Sequence, residues 1–313
     1  MINQENTYLE KFSEWLIIKG HTSGTANSFT NTAERFLKWL QEQNIETENA
    51  SYNDVVAYVS YQKKRGNKQR TVQININSIK HFYNFLQAED AVRENPASNV
   101  IIRGIKRKIL HEILSTEELE TIYKSYSTEI KHEQGKKVPS QQNKELARKR
   151  NKIILGLIIY QGIRTEELAK LELQDLQLRE GKINIQRSRR TEGRLMKLEA
   201  HQVYDLIDYV QTIRKQILEV TKKQSNKVFI SVGTSLNFHN IMQKLMKLIN
   251  TQHPKIKDIK QIRTSIISNW LKLYNLRKVQ YMAGHRYVSS TEAYQINNLE
   301  DLQDDIKKYH PIH

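Results

Sequence analysis

Four short segments in the second half of the sequence carry residues that together could act on a phosphate group. They are Gly162-Ile163-Arg164-Thr165-Glu166-Glu167-Leu168, Lys260-Gln261-Ile262-Arg263, Gly284-His285 and Tyr294. A guanidinium stays protonated at any relevant pH and binds two phosphate oxygens in a fork geometry. An imidazole can donate a hydrogen bond or transfer protons near neutral pH, and a tyrosine phenolate can attack phosphorus. These residue types favour phosphoryl transfer without a metal ion.

The order and spacing of the segments resemble the tyrosine recombinase, or phage integrase, family. That family has an arginine in a G-x-R-x-x-E-L setting, a His-or-Lys-x-x-Arg box, a Gly-His pair and a tyrosine about nine residues later. Tyr294 follows His285 by nine residues. Each box alone is a weak signal, whereas their joint order is specific. The resemblance covers essentially the whole chain, because the family also places a four-helix DNA-clamping domain before the catalytic domain.

The resemblance implies a role for each of these residues. Arg164 and Arg263 would bind the non-bridging oxygens of a pentacoordinate phosphorane, and His285 would donate to a phosphate oxygen or move a proton. Tyr294 would attack the backbone phosphorus of DNA, leaving a covalent 3′-phosphotyrosine and a free 5′-hydroxyl. Because this intermediate stores the phosphodiester energy, the reaction would need no ATP, no metal and no other cofactor.

Alternatives remain for two assignments, the identity of the nucleophile and the role of Glu167. Tyr281 and Tyr287 are also candidate nucleophiles, but only Tyr294 has the spacing of the family. Glu167 lies one helical turn after Arg164 and on the same face. It therefore either orients Arg164 or an adjacent group, or is a carboxylate on the helix surface.

The sequence departs from the family in its proton donors. The His-x-x-Arg box begins with Lys260, which keeps a donor but changes its pKa and reach. The family's catalytic lysine, which protonates the leaving 5′ oxygen, normally lies on a β-hairpin between the two arginine boxes. Residues 183–196 contain no lysine. They offer Arg187, Arg189 and Arg190, of which Arg189 best matches the lysine position.

An arginine is a poor proton donor but a good phosphate ligand. We therefore expect Arg187 and Arg190 to bind DNA, and the general acid to be Lys260 or a lysine beside the hairpin, such as Lys182 or Lys197. If none of these donates the proton, catalysis should be slower than is usual in the family.

Helical periodicity up to about residue 90 predicts four helices that form a small bundle. Ser51-Tyr52-Asn53-Asp54 provides a capping-box-like start for the third helix. A basic segment between the third and fourth helices contains Lys63, Lys64, Arg65, Lys68 and Arg70. This segment is either a solvated turn or a phosphate clamp at the start of a helix.

Asn95-Pro96 and the basic stretch from Arg103 to Lys108 indicate a domain boundary. We expect a helical core-DNA-binding domain over residues 1–100, a basic linker over 101–112 and a catalytic domain over 113–313. The fold class is mainly α with a small β-sheet. The resemblance adds that the first domain is a SAM-like DNA clamp and the second an integrase-like catalytic domain.

Within the second domain, residues 182–186 alternate like a strand and can pair with residues 194–198 as a hairpin. Residues 227–231 predict another strand. Residues 127–150 are polar enough to be a mobile loop or a frayed helix.

The net charge and the composition indicate which class of molecule the protein binds. The 313 residues have a formal net charge of +16, and residues 101–313 hold the whole excess, because residues 1–100 contain 11 basic and 11 acidic side chains. Nucleic acid is the expected partner.

The absence of cysteine excludes disulfides, thiolate zinc sites and cysteine nucleophiles, and it suits a cytoplasmic, nucleoid-associated protein. The longest apolar run, Ile153–Tyr160, is too short for a membrane helix of roughly 20 residues, so no membrane is expected.

The resemblance implies a site-specific recombinase that acts on double-stranded DNA with inverted half-sites. It further implies a dimer on each site and a homotetramer on two duplexes, and it leaves open an accessory protein. The sequence is also compatible with two other functions. A type IB topoisomerase has similar chemistry but relaxes DNA alone, and a catalytically decayed relative would bind DNA without cleaving it.

Overall fold

The computed structural model describes residues 2–104, 112–129, 138–189, 191–233 and 237–295. The chain forms two compact units, Met1–Ile109 and Leu110–His313. Arg190 and most of the expected linker lie outside the described residues. No helix in the described part of the chain is both long and apolar enough to cross a membrane.

Unit 1 contains the four helices that the sequence predicts. They are α1 (Ile2–Ile18), α2 (Ser23–Glu42), α3 (Tyr52–Lys64) and α4 (Gln69–Ala88). Aromatic side chains fill the core between them, and Phe12, Phe36 and Phe82 are fully buried. The start of α3 is as predicted, because the Asp54 carboxylate accepts from both the backbone N–H and the hydroxyl of Ser51, at 2.8 and 2.6 Å.

Unit 2 is mainly helical, with one small sheet. Its helices are α5 (Thr116–Ser125), α6 (Val138–Gln161), α7 (Thr165–Lys170), α8 (Ala200–Asp208), α9 (Arg214–Thr221), α10 (Phe238–Gln252), α11 (Ile259–Leu273) and α12 (Leu276–Ala283). Residues 209–213 continue α8 into α9 as a π-helical turn, and residues 289–295 are again helical. Residues 138–150 thus belong to α6, where Leu146 is buried and a Lys149–Glu145 ion pair of 2.8 Å links successive turns.

The sheet has three antiparallel strands in the order β1 (Leu176–Gln177), β2 (Lys182–Ile185), β3 (Arg194–Lys197). The predicted hairpin is confirmed, with Ile183 opposite Met196 and Ile185 opposite Arg194. The side chains of Ile183, Ile185 and Met196 enter the core of the unit.

The predicted strand at residues 227–231 is wrong. Lys227 makes only a single bridge, to Glu172. Side chains bind the carbonyl groups that a neighbouring strand would need: Arg214 donates to Lys227, Tyr209 to Val228, and Arg150 to Ile230, at 3.0, 2.9 and 2.7 Å. The segment is therefore hydrogen-bonded and buried without joining the sheet.

Candidate active site

Gly162 and Arg164 connect α6 to α7. Gly162 follows the last residue of α6 and has a left-handed backbone with φ 57°. A β-carbon at this position would lie 3.1 Å from the Trp270 ring, so the bend needs glycine for both reasons. Arg164 then precedes the first residue of α7, and its backbone N–H donates to the Glu167 carboxylate at 2.9 Å. The bend and this hydrogen bond fix the backbone of Arg164.

Arg263 links three of the segments singled out in the sequence. It lies on α11 and is only 8% exposed. Its guanidinium donates to the carbonyl of Gly162 and, at 2.6 Å, to the carbonyl of Ala283. Since Gly162 precedes Arg164 by two residues and Ala283 precedes His285 by two, one side chain holds the three segments together.

His285 and Tyr294 stack on each other, with ring centroids 5.7 Å apart and planes 17° from parallel. His285 follows Gly284, which ends α12 with a left-handed φ of 63°. Tyr294 lies in the helical residues 289–295, is partly buried and packs against a small apolar cluster of Ile267, Val279 and Ala283. It also interacts electrostatically with Arg263. The structure therefore brings the nucleophile candidate, the histidine and an arginine to one place.

Thr291 is a site residue that the sequence motifs did not indicate. Its buried hydroxyl lies 2.9 Å from Nδ1 of His285. This hydrogen bond occupies one ring nitrogen of the histidine and leaves Nε2 as the nitrogen for a substrate. The spacing of six residues inside the segment from His285 to Tyr294 was visible in the sequence, but nothing in it marked the threonine as a partner.

Arg194 is the second site residue that the motifs did not indicate. Its guanidinium forms two hydrogen bonds with the Glu167 carboxylate, at 2.9 and 2.8 Å, and the side chains are 0% and 5% exposed. Glu167 is therefore not a surface carboxylate, and the group that it orients includes Arg194. The available signal was that Arg194 occupies an inward-facing position of a predicted strand, where a charged residue needs a partner.

The site has an excess of positive charge. Arg194 and Arg263 interact electrostatically with the buried carboxylate of Glu167, and Arg164 lies close enough to Arg263 and His285 to affect their pKa values. Burial lowers the pKa of Arg263, and the neighbouring Arg164 cation lowers it further. Burial raises the pKa of Glu167, but hydrogen bonds and charge from Arg194 outweigh it and hold this pKa below its usual value. Such a cluster is suited to an anionic ligand.

His285 is expected to be neutral at pH 7, because burial and then the Arg263 and Arg164 cations lower its pKa to about 4. As the pH falls below the usual histidine value, the unfolded chain takes up a proton before the folded chain does. His285 should therefore destabilise unit 2 progressively between about pH 6.5 and 4, by on the order of 3 kcal/mol at pH 4. NMR titration of the ring, assigned with a His285→Gln variant, should give a midpoint well below 6; a midpoint near 6.5 would contradict this electrostatic description.

The three lysines considered as general acids lie in different places. Lys260 is exposed in the first turn of α11, three residues before Arg263. Lys182 and Lys197 lie opposite each other at the end of the hairpin away from Arg194, about 10 Å along the strand. Lys197 also faces away from the core face that holds Arg194. This geometry favours Lys260 over the two flanking lysines.

Two of the three hairpin arginines, Arg187 and Arg189, lie in the described part of the chain and are exposed. Arg187 lines the same cleft as Arg164 and forms an ion pair with Glu192 at 3.3 Å. Arg189 is exposed, and its backbone carbonyl accepts from Arg286 at 3.4 Å. Arg190 lies outside the described residues.

The basic segment of unit 1 lies between α3 and α4. Its five cations, Lys63, Lys64, Arg65, Lys68 and Arg70, are all exposed. Arg65 lies over the Tyr61 ring, 5.6 Å from its centroid. Lys68 immediately precedes α4, and residues 61–70 contain no acidic side chain. This arrangement presents positive charge at a helix start, where anions bind favourably.

Comparison with known proteins gives two family matches. The model of the phage integrase family matches residues 128–300, and the model of the phage integrase N-terminal SAM-like domain matches residues 9–90. A curated relative, tyrosine recombinase XerC of Listeria welshimeri serovar 6b, is 25% identical over 319 residues and is aligned over 99% of each chain.

Two solved structures share the fold. A lambda integrase dimer bound to a COC′ core site has a TM-score of 0.63 and 13% identity, covering 92% of this chain and 94% of the other. A lambda integrase tetramer bound to a Holliday junction has a TM-score of 0.62 and 12% identity, covering 92% of this chain and 76% of the other.

Proposed function

The chain belongs to the phage integrase family and is a site-specific tyrosine recombinase, and from this premise we propose that Tyr294 is the nucleophile with which it cleaves DNA. The observation that carries the assignment is the position of Tyr294. Its ring stacks on His285, and the same two residues interact with Arg263, whose guanidinium ties the Arg164 and His285 segments together.

In the proposed reaction, the Tyr294 hydroxyl gives its proton to water and the phenolate oxygen attacks a backbone phosphorus, while the bond to the 5′ oxygen breaks and that oxygen takes up a proton. The products are a 3′-phosphotyrosine and a free 5′-hydroxyl, which later attacks the phosphotyrosine to rejoin a strand. Negative charge accumulates on the non-bridging oxygens in the transition state. Arg164 and Arg263 would bind those oxygens. The Arg263 guanidinium is held by two backbone carbonyl groups and the Arg164 backbone by Glu167, which limits the reorganisation that binding requires.

A neutral His285 has one ring N–H. We assign the tautomer in which Nδ1 accepts from the Thr291 hydroxyl, so that the proton lies on Nε2 and is donated to a phosphate oxygen. Lys260 protonates the departing 5′ oxygen, and Arg189 binds phosphate at the hairpin position where the family usually has lysine. These assignments separate charge stabilisation, by the arginines and the histidine, from proton donation by the lysine.

The proposed DNA partner is a duplex with inverted half-sites, bound by a dimer, with two such complexes forming a tetramer during strand exchange. The lambda integrase structures, one a dimer on a core site and one a tetramer on a Holliday junction, support this arrangement. The exposed cations between α3 and α4 of unit 1, together with Arg187 and Arg189 of the hairpin in unit 2, supply phosphate contacts.

The function can be tested in two steps. Affinity selection from genomic fragments first identifies a bound site, and plasmids carrying one or two copies of it are then incubated with the protein. Recombinant products that require two copies are expected. Relaxation of the one-copy plasmid without recombinant products would indicate a topoisomerase, and binding without any strand cleavage would indicate a decayed relative.

The unit 1 segment gives a quantitative prediction for DNA binding. Replacing Lys63, Lys64, Arg65, Lys68 and Arg70 with alanine should make the decline of log K with log salt less steep, by about 0.9 for each DNA phosphate that the variant no longer neutralises. Fluorescence anisotropy across a salt series measures this slope. A Lys19→Ala, Lys38→Ala variant of the same unit is the control, with no expected change. An unaltered slope in the five-residue variant would show that the segment is a solvated turn that does not contact DNA phosphates.

A further inference from the structure

We propose that Arg194 is a positioning residue that keeps the Glu167 carboxylate from neutralising Arg164, so that the Arg164 guanidinium remains available to the DNA phosphate. The inference rests on the proposed function and concerns how its charge is maintained. A positively charged site with a carboxylate one helical turn from a phosphate-binding arginine has an internal competitor for that arginine. The structure shows how the competitor is occupied.

Both oxygens of Glu167 are engaged. Oε1 accepts from Arg194 at 2.9 Å, and Oε2 accepts from Arg194 at 2.8 Å and from the Arg164 backbone N–H at 2.9 Å. The pair is nearly inaccessible to solvent, so water competes little for either partner. Glu167 therefore fixes the backbone of Arg164 through a hydrogen bond. The negative charge of Glu167 is neutralised by the guanidinium of Arg194 and not by that of Arg164.

The side chain of Arg164 is left free by this arrangement. Within the described residues Arg164 forms no ion pair, and its buried Nε has no hydrogen-bond partner. Arg263 uses its guanidinium on two neutral carbonyl groups. With Glu167 and Arg194 cancelling each other, Arg164 and Arg263 keep two uncompensated positive charges, which suits the doubly negative phosphorane better than the singly negative diester.

Arg194 also has a defined place against the Gly284-His285 segment. A β-carbon on Gly284 would lie only 2.4 Å from a terminal nitrogen of Arg194. The absence of a side chain at residue 284 thus makes room for the guanidinium beside Glu167. The hairpin strand β3 contributes to the site through this buried cation, although residues 183–196 contain no lysine.

Arg194→Met tests the inference because it leaves Glu167 without its ion-pair partner. Unpaired Glu167 should turn to Arg164, and cleavage of the selected DNA site should fall by on the order of 10²-fold or more. The pKa of Glu167 should rise, because a contact with Arg164 replaces less than the two buried hydrogen bonds and the charge that Arg194 supplied against burial. Cleavage by Arg194→Met should then recover as the pH is lowered relative to wild type, because protonated Glu167 no longer attracts Arg164.

The deciding variant is the double substitution Arg194→Met, Glu167→Gln. It replaces a buried ion pair with uncharged side chains, which proteins often tolerate, and it is expected to cleave within about tenfold of wild type. Arg194→Met with Glu166→Gln is the matched control, because the neighbouring Glu166 is exposed and should give no rescue. Circular dichroism and thermal unfolding verify the fold of each variant.

If the folded double variant is as inactive as Arg194→Met, or if Glu166→Gln rescues equally well, the inference is wrong. If Arg194→Met does not fold, the double variant alone decides, since near-normal cleavage supports the inference and loss of cleavage overturns it. Failure of the wild-type protein to cleave the site would instead count against the proposed function.

Discussion

A Tyr294→Phe variant is expected to bind its DNA site with unchanged affinity and to form no covalent protein–DNA adduct. Removal of the hydroxyl deletes the attacking oxygen, and losses on the order of 10⁶-fold are known when an enzyme loses its covalent nucleophile. The phenyl ring can still stack on His285 and fill the cluster of Ile267, Val279 and Ala283. The fold and the phosphate-binding arginines should therefore persist.

The measurement uses a nicked suicide substrate, from which the short cleaved strand diffuses away, so that the adduct accumulates and is seen on a denaturing gel. Tyr287→Phe is the matched control, because Tyr287 is an exposed tyrosine seven residues earlier in the same segment. It should form adduct as wild type does. An adduct formed by Tyr294→Phe would show that Tyr294 is not the nucleophile.

Lys260→Ala is expected to cleave ordinary DNA about 10²–10⁴ times more slowly than wild type, the usual contribution of a general acid. An alkoxide is a strongly basic leaving group and requires a proton. Substituting sulfur for the bridging 5′ oxygen makes the leaving group a far weaker base, which departs without help. On that substrate Lys260→Ala should therefore recover most of its deficit.

Two controls separate proton donation from phosphate binding. Lys272→Ala changes another exposed lysine on α11 and should cleave both substrates normally. Arg189→Ala should be impaired on both substrates alike if Arg189 only binds phosphate. Rescue of Arg189→Ala by sulfur, without rescue of Lys260→Ala, would show that the hairpin arginine or a water it positions delivers the proton.

Local patterns in the sequence predicted much of the fold. Alternation gave the pairing of β2 with β3, and Ser51 and Asp54 gave the start of α3, because both depend on residues close in sequence. The strand predicted at residues 227–231 has the right composition. It fails because long-range donors such as Arg214 and Tyr209 bind its carbonyl groups, and no local pattern reports them.

The candidate site likewise combines features that the local sequence predicts with features that depend on long-range contacts. The motif spacing identified Arg164, Arg263, His285 and Tyr294 as candidates, and the structure places them together. The bonds of Arg194 to Glu167, 27 residues apart, arise from the packing of the hairpin against α7. Likewise, the carbonyl groups that hold Arg263 come from two distant chain segments. Sequence spacing names candidate groups, whereas the charge balance between them depends on the tertiary structure.

Locating the bond between protein and DNA is the decisive measurement for the proposed chemistry. The covalent adduct, trapped on a suicide substrate and digested with trypsin and nuclease, should yield the peptide of residues 287–307 carrying a nucleotide. Because this peptide contains both Tyr287 and Tyr294, tandem mass spectrometry must identify the modified residue. We expect a 3′-phosphodiester on Tyr294. A nucleotide on Tyr287 or Tyr281, or no adduct from protein that binds the site, would contradict the proposed chemistry.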